Sequence, residues 1–395
     1  MKLLNNFAIN YALFITLTFF SLCSSESAAI DTNIIVAAEQ VEQYLPRLIG
    51  KRVGLVVNQT SKVFDDHLVD VLLKSNIDIK KIFAPEHGFR GDRDAGEKFD
   101  SSIDTKTGIA LISLYGKNRK PSLGTLKDLD VIIFDIQDVG VRFYTYISTM
   151  HYMMEAAADA GVEFIVLDRP NPNGSFVDGP VLEKEFKSFV GMHQIPLLHG
   201  LTVGELALMI NGEGWLKSKK ELSLTVFKIK GYQRNHPYNL PVKPSPNLPN
   251  AQSIALYPSL TFFEATPVSI GRGTPFPFQV IGHDNINIGQ FNFSPISIIG
   301  AASKPKLMNK QLKGQDLRQS KSQGLNLAFV INWYKAFASK DAIFFNSPKF
   351  MDKLAGTDKL RKAIVAGQSE QEIKLSWEAG IADFKVKRQP YLLYH

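Results

Sequence analysis

Residues 84–97, Ala-Pro-Glu-His-Gly-Phe-Arg-Gly-Asp-Arg-Asp-Ala-Gly-Glu, carry the carboxylates of Glu86, Asp92, Asp94 and Glu97, the imidazole of His87 and the guanidinium groups of Arg90 and Arg93. They show neither helical nor strand periodicity and follow directly on apolar Ile82-Phe83. Polar groups gathered on a glycine-bearing loop at the end of a buried strand act on a ligand more readily than they support a core. Paired carboxylates suit glycoside hydrolysis, in which one acid protonates the leaving oxygen and a second group, about 5–9.5 Å away, is base or nucleophile. Glu86 with Asp92, Asp94 or Glu97 would make such a pair; the same residues would also make a loop tied by ion pairs to Arg90 and Arg93. His87 and Asp92, joined by Asp135 and Asp138, would alternatively form an oxygen-rich metal site for hydrolysis. Only one histidine lies in that cluster, however, and no H-x-H or H-E-x-x-H occurs. The G-x-S-x-G elbow of a serine hydrolase is absent, and His151, His193 and His199 read as packing residues.

The elements that position this loop are legible from apolar runs. Residues 52–57, 79–84, 109–114, 130–134 and 162–167 read as strands buried on both faces, with helices expected at 36–44, 66–75 and 148–160, the last stopped by Gly161. This order predicts an α/β protein with a parallel, Rossmann-like sheet. Ligands of such sheets bind beyond the carboxyl ends of the strands, where this sequence places Asn58, Glu86, Asp135, Asp138, Arg142, Asp168 and Asn171. No G-x-G-x-x-G follows the first strand and no Walker motif occurs, which disfavours nicotinamide, flavin and nucleotide enzymes.

From about Phe189 the texture changes. Thr202 and Glu205 form a capping box for a helix over 202–211, and 224–229 reads as a short strand. Prolines 241, 244 and 246 mark a rigid connection to a second polar-aromatic cluster holding Glu264 and Arg272. Glycines on both sides of Arg272 leave its fork of donors open to a carboxylate or phosphate. Residues 325–337, 348–354, 358–366 and 370–384 read as helices of a smaller C-terminal α/β domain, so that 29–235 and 236–395 form the two domains. The length of 395 residues accommodates both.

The net charge of +7 arises from scattered lysines and arginines without interleaved stacking aromatics, so a nucleic-acid partner is not expected. Lys2, the apolar run 7–22 and the small residues 23–29 have the pattern of a secretory signal, removed as residues 1–28. Export to a periplasmic or extracellular location is expected, with no stable membrane span after processing. The sole cysteine, Cys23, lies at this junction, where lipid attachment is an alternative to simple cleavage.

Several motifs in order resemble one family: Asn58-Gln59-Thr60-Ser61, Pro85-Glu86-His87-Gly88-Phe89-Arg90-Gly91, Ala95-Gly96-Glu97, Asp135-Ile136-Gln137-Asp138-Val139-Gly140-Val141-Arg142-Phe143-Tyr144-Thr145-Tyr146, Asp168-Arg169-Pro170-Asn171-Pro172, Ser245-Pro246-Asn247 and Gly271-Arg272-Gly273-Thr274. Together they resemble the DUF1343, or YbbC-like, family, whose characterised members are NamZ-type exo-β-N-acetylmuramidases of glycoside hydrolase family 171. The resemblance implies release of N-acetylmuramic acid from the non-reducing end of peptidoglycan fragments, at a site between a Rossmann-like domain and a C-terminal α/β domain, without a cofactor or metal. It makes Glu86, the glutamate of the PEHG motif, the proposed catalytic residue; beside it, His87, Asp92 and Glu97 are expected from their place on the same loop to shape or assist the site. Asn58, Arg90, Asp135, Asp138, Arg142, Tyr144, Asp168, Asn171, Glu264 and Arg272 are then expected to bind sugar, with Arg272 or Arg142 matched by charge to the lactyl carboxylate. One departure is Glu264-Ala265-Thr266, where the family usually has glycine between Glu and Thr. A non-catalytic wall-sugar-binding protein and a metal-dependent hydrolase are the alternatives.

Overall fold

The computed structural model describes residues 34–86, 88–90, 101–116 and 119–395. The expected signal segment, Cys23, His87, Asp92 and Glu97 lie outside the described residues.

The main sheet contains β1 (Arg52–Val57), β2 (Asp78–Ala84), β3 (Ser102–Ile103), β4 (Ala110–Ser113), β5 (Val131–Asp135), β6 (Glu163–Leu167) and β7 (Leu224–Phe227). Its order is β3-β4-β2-β1-β5-β6-β7, with the two-residue β3 antiparallel at one edge and the others parallel. This is the doubly wound arrangement expected from five of the strands. β7 adds a sixth parallel member, so residues 224–227 belong to this sheet despite the change of texture before them.

Alternation along the strands builds a core on each face. Val56, Phe83, Ile132, Phe134, Phe164 and Val166 join the cluster that continues into the C-terminal half through Phe262 and Trp333. Leu55, Val57, Ile82, Ile133, Ile165 and Leu167 face the other way, towards Leu68, Val69 and Leu72 of α1 (Leu68–Lys74). Burial on both faces explains why these strands read as unbroken apolar runs. Helix α2 (Tyr146–Ala160) covers the first face and ends at Gly161, whose φ of 70° is the left-handed cap that glycine adopts freely. Helix α3 (Val203–Gly212) starts with the expected capping box of Thr202 and Glu205.

The C-terminal half opens with α4 (Ala251–Leu260), which the sequence conceals because Pro258 lies inside it. A small antiparallel sheet, also not expected, follows: β8 (Val280–His283), β9 (Phe291–Phe293) and β10 (Leu312–Asp316), with β10 central. Helices α5 (Ala328–Ala338), α6 (Pro348–Ala355), α7 (Lys359–Val365), α8 (Glu370–Leu375) and α9 (Glu378–Lys387) complete it. The expected single helix over 370–384 is divided, because Trp377 leaves the helical conformation and donates its indole N–H to Asp178 at 3.1 Å. No described helix is long and apolar enough to cross a membrane.

The last residues return to the main sheet. Buried Glu205 takes Arg234 in a two-pronged pair at 2.7 and 3.0 Å and accepts the backbone N–H groups of Leu393 and Tyr394. The Tyr394 hydroxyl donates to Asp168 at 2.7 Å, at the exit of β6. Burial pushes the Asp168 carboxyl up to about 7, against the pull of donors from Tyr394, Thr202 and Gly204. A carboxyl raised from its ordinary 3.8 takes up a proton on folding, so its contribution is full below that value and is lost as pH rises through about 7. Urea unfolding of wild type and Asp168→Asn between pH 5 and 8 should therefore show the wild-type advantage shrinking as pH rises through about 7, whatever opposite slope the buried imidazoles of His151, His193 and His199 give to both proteins; a difference independent of pH would count against this assignment.

Candidate active site

Glu86 stands two residues beyond β2, after Pro85, at the N-terminal end of α2. The Thr145 hydroxyl, at the N-cap of that helix, donates to Glu86 Oε2 at 3.1 Å. Tyr146 lies 3.4 Å from the Glu86 carbonyl oxygen, and the Tyr115 phenol hydrogen-bonds the Glu86 side chain. Burial first, then the negative charge of Glu86, pushes both phenols far above their ordinary range, so they remain protonated donors at neutral pH.

Glu86 opens onto a cavity of about 250 Å³. One wall is the continuous run Phe143-Tyr144-Thr145-Tyr146; Ser245, Asn247, Tyr257 and Thr261 form another; Glu264 and Arg272 stand in the same space, with Phe350 and Leu354 of α6 closing it. A few convergent polar groups in an otherwise aromatic pocket is the usual composition of a small-molecule site.

Arg272 is aimed by its neighbours. Gly271 and Gly273 both have φ near 80°, and a side chain on either would collide with a backbone oxygen, that of Phe276 or Ile296. Only glycine fits this turn. Glu264 accepts from Arg272 Nε at 2.7 Å while the guanidinium lies 5.0 Å from the ring centre of Phe278. Lys306 donates to the carbonyls of Phe263, Glu264 and Thr266 at 2.8–2.9 Å and lies 3.7 Å from Glu264 Oε2. Burial alone would raise the Glu264 carboxyl, but Arg272 and Lys306 hold it below its ordinary value. Glu264 is thus a fixed anion that orients Arg272.

The structure brings Glu86, Tyr144, Glu264 and Arg272 together and removes several expected sugar ligands. Arg142 is wholly buried: it donates to the carbonyls of Pro180 and Ile195 at 2.7 Å and of Leu354 and Ala355 at 3.3 and 2.6 Å. Burial lowers its guanidinium to about 9. It binds main chain, not a substrate carboxylate. Asp135 is buried in an ion pair with Arg169 at 2.5 Å, and Asp168 is held as described above. Asn171 joins Leu201 O to Asn173 N–H, and Asn58 accepts from both donors of Thr60. Asp138 caps Gly140 N–H at 2.7 Å, and burial pushes it up to about 7. At the β1/β5 switch point Ser61 donates to the Asp135 carbonyl and Gln137 N–H to Thr60, tying the two loops, while Asn58 Nδ2 and Asp138 Oδ1 are buried without a partner among the described residues. The cavity that Glu86 lines lies towards β2 and the C-terminal half. Arg90 pairs with Asp104 at 2.9 Å outside the cavity lining.

Residues not singled out from sequence include Thr145, Tyr115, Tyr257, Thr261 and Lys306. Tyr257 is the most informative, because it feels the charges of Arg272, Glu264 and Glu86 together. The signal for Thr145 was its place inside the Arg142-to-Tyr146 motif; Tyr257 lay in the helix concealed by Pro258.

Comparison with known proteins gives concordant matches. The model for the N-terminal domain of exo-beta-N-acetylmuramidase NamZ matches residues 53–252, and that for its C-terminal domain matches residues 255–394. The peptidoglycan beta-N-acetylmuramidase NamZ of Bacillus subtilis (strain 168) is 39% identical, with 89% of each chain covered. Two crystal structures of DUF1343 family proteins from Bacteroides fragilis NCTC 9343 superimpose with TM-scores of 0.84 and 0.77, at 45% and 33% identity; each alignment covers 92% of this chain and 99% of the other.

The position of Arg142 gives a direct test. Arg142→Leu strands four buried carbonyl oxygens and should cost about 3–5 kcal/mol of stability in urea unfolding. A folded variant whose only defect was weak ligand binding would restore the ligand-binding assignment.

Proposed function

The chain belongs to the NamZ family of exo-β-N-acetylmuramidases, and on that premise we propose that it is an exo-acting glycosidase releasing N-acetylmuramic acid from the non-reducing end of peptidoglycan fragments. One observation carries this reading: Glu86 from the parallel-sheet half and the oriented Arg272 from the C-terminal half line the same cavity. In this mechanism Glu86 acts as acid, or acid and base, on the glycosidic oxygen, with Thr145 and Tyr115 fixing its orientation. The terminal Nη groups of Arg272 receive the lactyl carboxylate, since Glu264 engages Nε. Glu264, already compensated by Arg272 and Lys306, serves as a positioning residue.

Export belongs to the same reading. The basic and apolar pattern of residues 1–28 supports delivery to the periplasm or exterior, where wall fragments arise, with Cys23 as a site for lipid attachment or simple cleavage. Asp135, Asp168 and Asn171 support the loops around the site rather than the sugar. The metal-hydrolase alternative rests on His87 and Asp92, outside the described residues.

The decisive assay is liberation of N-acetylmuramic acid from its β-linked disaccharide with N-acetylglucosamine. Glu86→Gln should abolish release while retaining substrate binding, and a chelator should leave wild-type release unchanged. Release by Glu86→Gln would remove Glu86 from the chemistry, and no release by folded wild type would favour a binding protein. Arg272→Met should lower kcat/KM on the muramic-acid substrate by about ten- to a hundredfold, the loss associated with a charge-assisted contact. A change below twofold would dissociate Arg272 from the lactyl group.

A further inference from the structure

A second cavity, of about 280 Å³, lies at the carboxyl end of the same sheet, beyond β6. We propose that it is a distal subsite for an uncharged portion of an oligosaccharide whose muramic-acid end occupies the Glu86 cavity; this rests on the glycosidase reading above. Its lining includes Asn173, Ser175, Asn235, Asn239, Gln252 and Gln323, with aromatic surfaces from Phe176 and Tyr238. No carboxylate among the described residues contributes to it. Arg234, which does, is already compensated by the two-pronged pair with Glu205 and also donates to the Tyr394 carbonyl at 3.0 Å.

Amides and hydroxyls both donate and accept, which matches sugar hydroxyl and acetamido groups. Among the described lining residues a phosphate or carboxylate would instead meet no uncompensated arginine or lysine. Tyr238 supplies a half-buried ring with a polar edge, as a sugar face requires. Buried His236 Nδ1, in a residue lining the cavity, has no hydrogen-bond partner among the described residues.

Placement argues for one ligand spanning both cavities. Glu86 follows β2 and Asn173 follows β6; the order β2-β1-β5-β6 separates those strands by three spacings, about 14 Å. An oligosaccharide, rather than a single sugar, covers such a span. Between the cavities runs the segment 234–247: its first part lines the distal cavity, while Ser245 and Asn247 line the Glu86 cavity. Gln59, beyond β1, donates to the carbonyls of Lys243 and Pro244 at 3.3 and 3.2 Å, and Tyr144 donates to Pro244 O at 2.8 Å. Helix α4 makes a second link, with Gln252 and Ala255 at the distal cavity and Tyr257 at the Glu86 cavity. Prolines in the connecting segment limit its flexing, so the separation is built in.

The test compares kcat/KM on the muramic-acid-terminated disaccharide with that on a hexasaccharide bearing the same non-reducing end. Wild type should favour the longer substrate by about tenfold, and Tyr238→Ala should erase that preference. Asn235→Ala, altering an exposed side chain, takes its place where Tyr238→Ala fails to fold. Equal wild-type values for both lengths, or a preference untouched by the substitution, would overturn the subsite. If neither substrate is cleaved, the muramidase reading itself has failed. Calorimetric titration with a neutral β-linked N-acetylglucosamine oligomer then decides the subsite alone: binding weakened by Tyr238→Ala supports it, and absence of binding overturns it.

Discussion

The buried guanidinium of Arg142 is the constraint on which the architecture around the cavity depends. A charge taken out of water is costly unless its donors are met, and here four carbonyl oxygens meet both Nη groups, while Nε has no partner among the described residues. Two belong to the segment 180–195 and two to the end of α6, whose last carbonyls are intrinsically short of donors. Leu354, one of the carbonyl partners, also lines the cavity. Immediately after Arg142 come Phe143, Tyr144, Thr145 and Tyr146, the opposite wall. A single fixed residue thus sets the distance between the sheet half and the C-terminal half, and through Thr145 it fixes the group that holds Glu86.

The aromatic walls affect the polar groups they enclose. Burial keeps the phenols of Tyr115, Tyr146 and Tyr257 protonated well beyond neutral pH, and nearby Glu86 adds to that effect in each. The hydroxyls of Thr145 and Tyr115 are neutral donors that orient the Glu86 carboxyl group.

The strand-exit rule located Glu86 from sequence because its element is strongly patterned: β2 is apolar and the loop beyond it is densely polar. At Asp135, Asp168 and Asn171 the same rule meets side chains buried in ties to other segments. Polar residues at a strand exit either face the crevice or tie one loop to the next, and a one-dimensional pattern does not distinguish the two. Arg142 was misread for a related reason, since the carbonyls that surround it belong to residues remote in sequence and carry no side-chain signature. The C-terminal contribution was only half legible. The Gly271-Arg272-Gly273 turn is visible as sequence, but Tyr257 sits in a helix containing Pro258, and Lys306 acts through backbone oxygens.

The charge distribution on the C-terminal wall explains why this side of the cavity is suited to an anion even though it contains Glu264. Arg272 and Glu264 alone form a neutral pair, and a neutral pair has little attraction for a carboxylate approaching a space that also holds Glu86. Lys306 changes the balance. It is anchored from behind by three carbonyls and stands 3.7 Å from Glu264 Oε2, so the trio carries one net positive charge while Lys306 stays out of the cavity lining. Glu264 faces that cation with one oxygen and Arg272 Nε with the other, leaving the outer edge of the guanidinium for an incoming group. Replacing glutamate by a neutral residue would raise the net charge but release the arginine from its orientation. The carboxylate therefore trades electrostatic attraction for geometry, and geometry decides whether a bidentate acceptor is recognised.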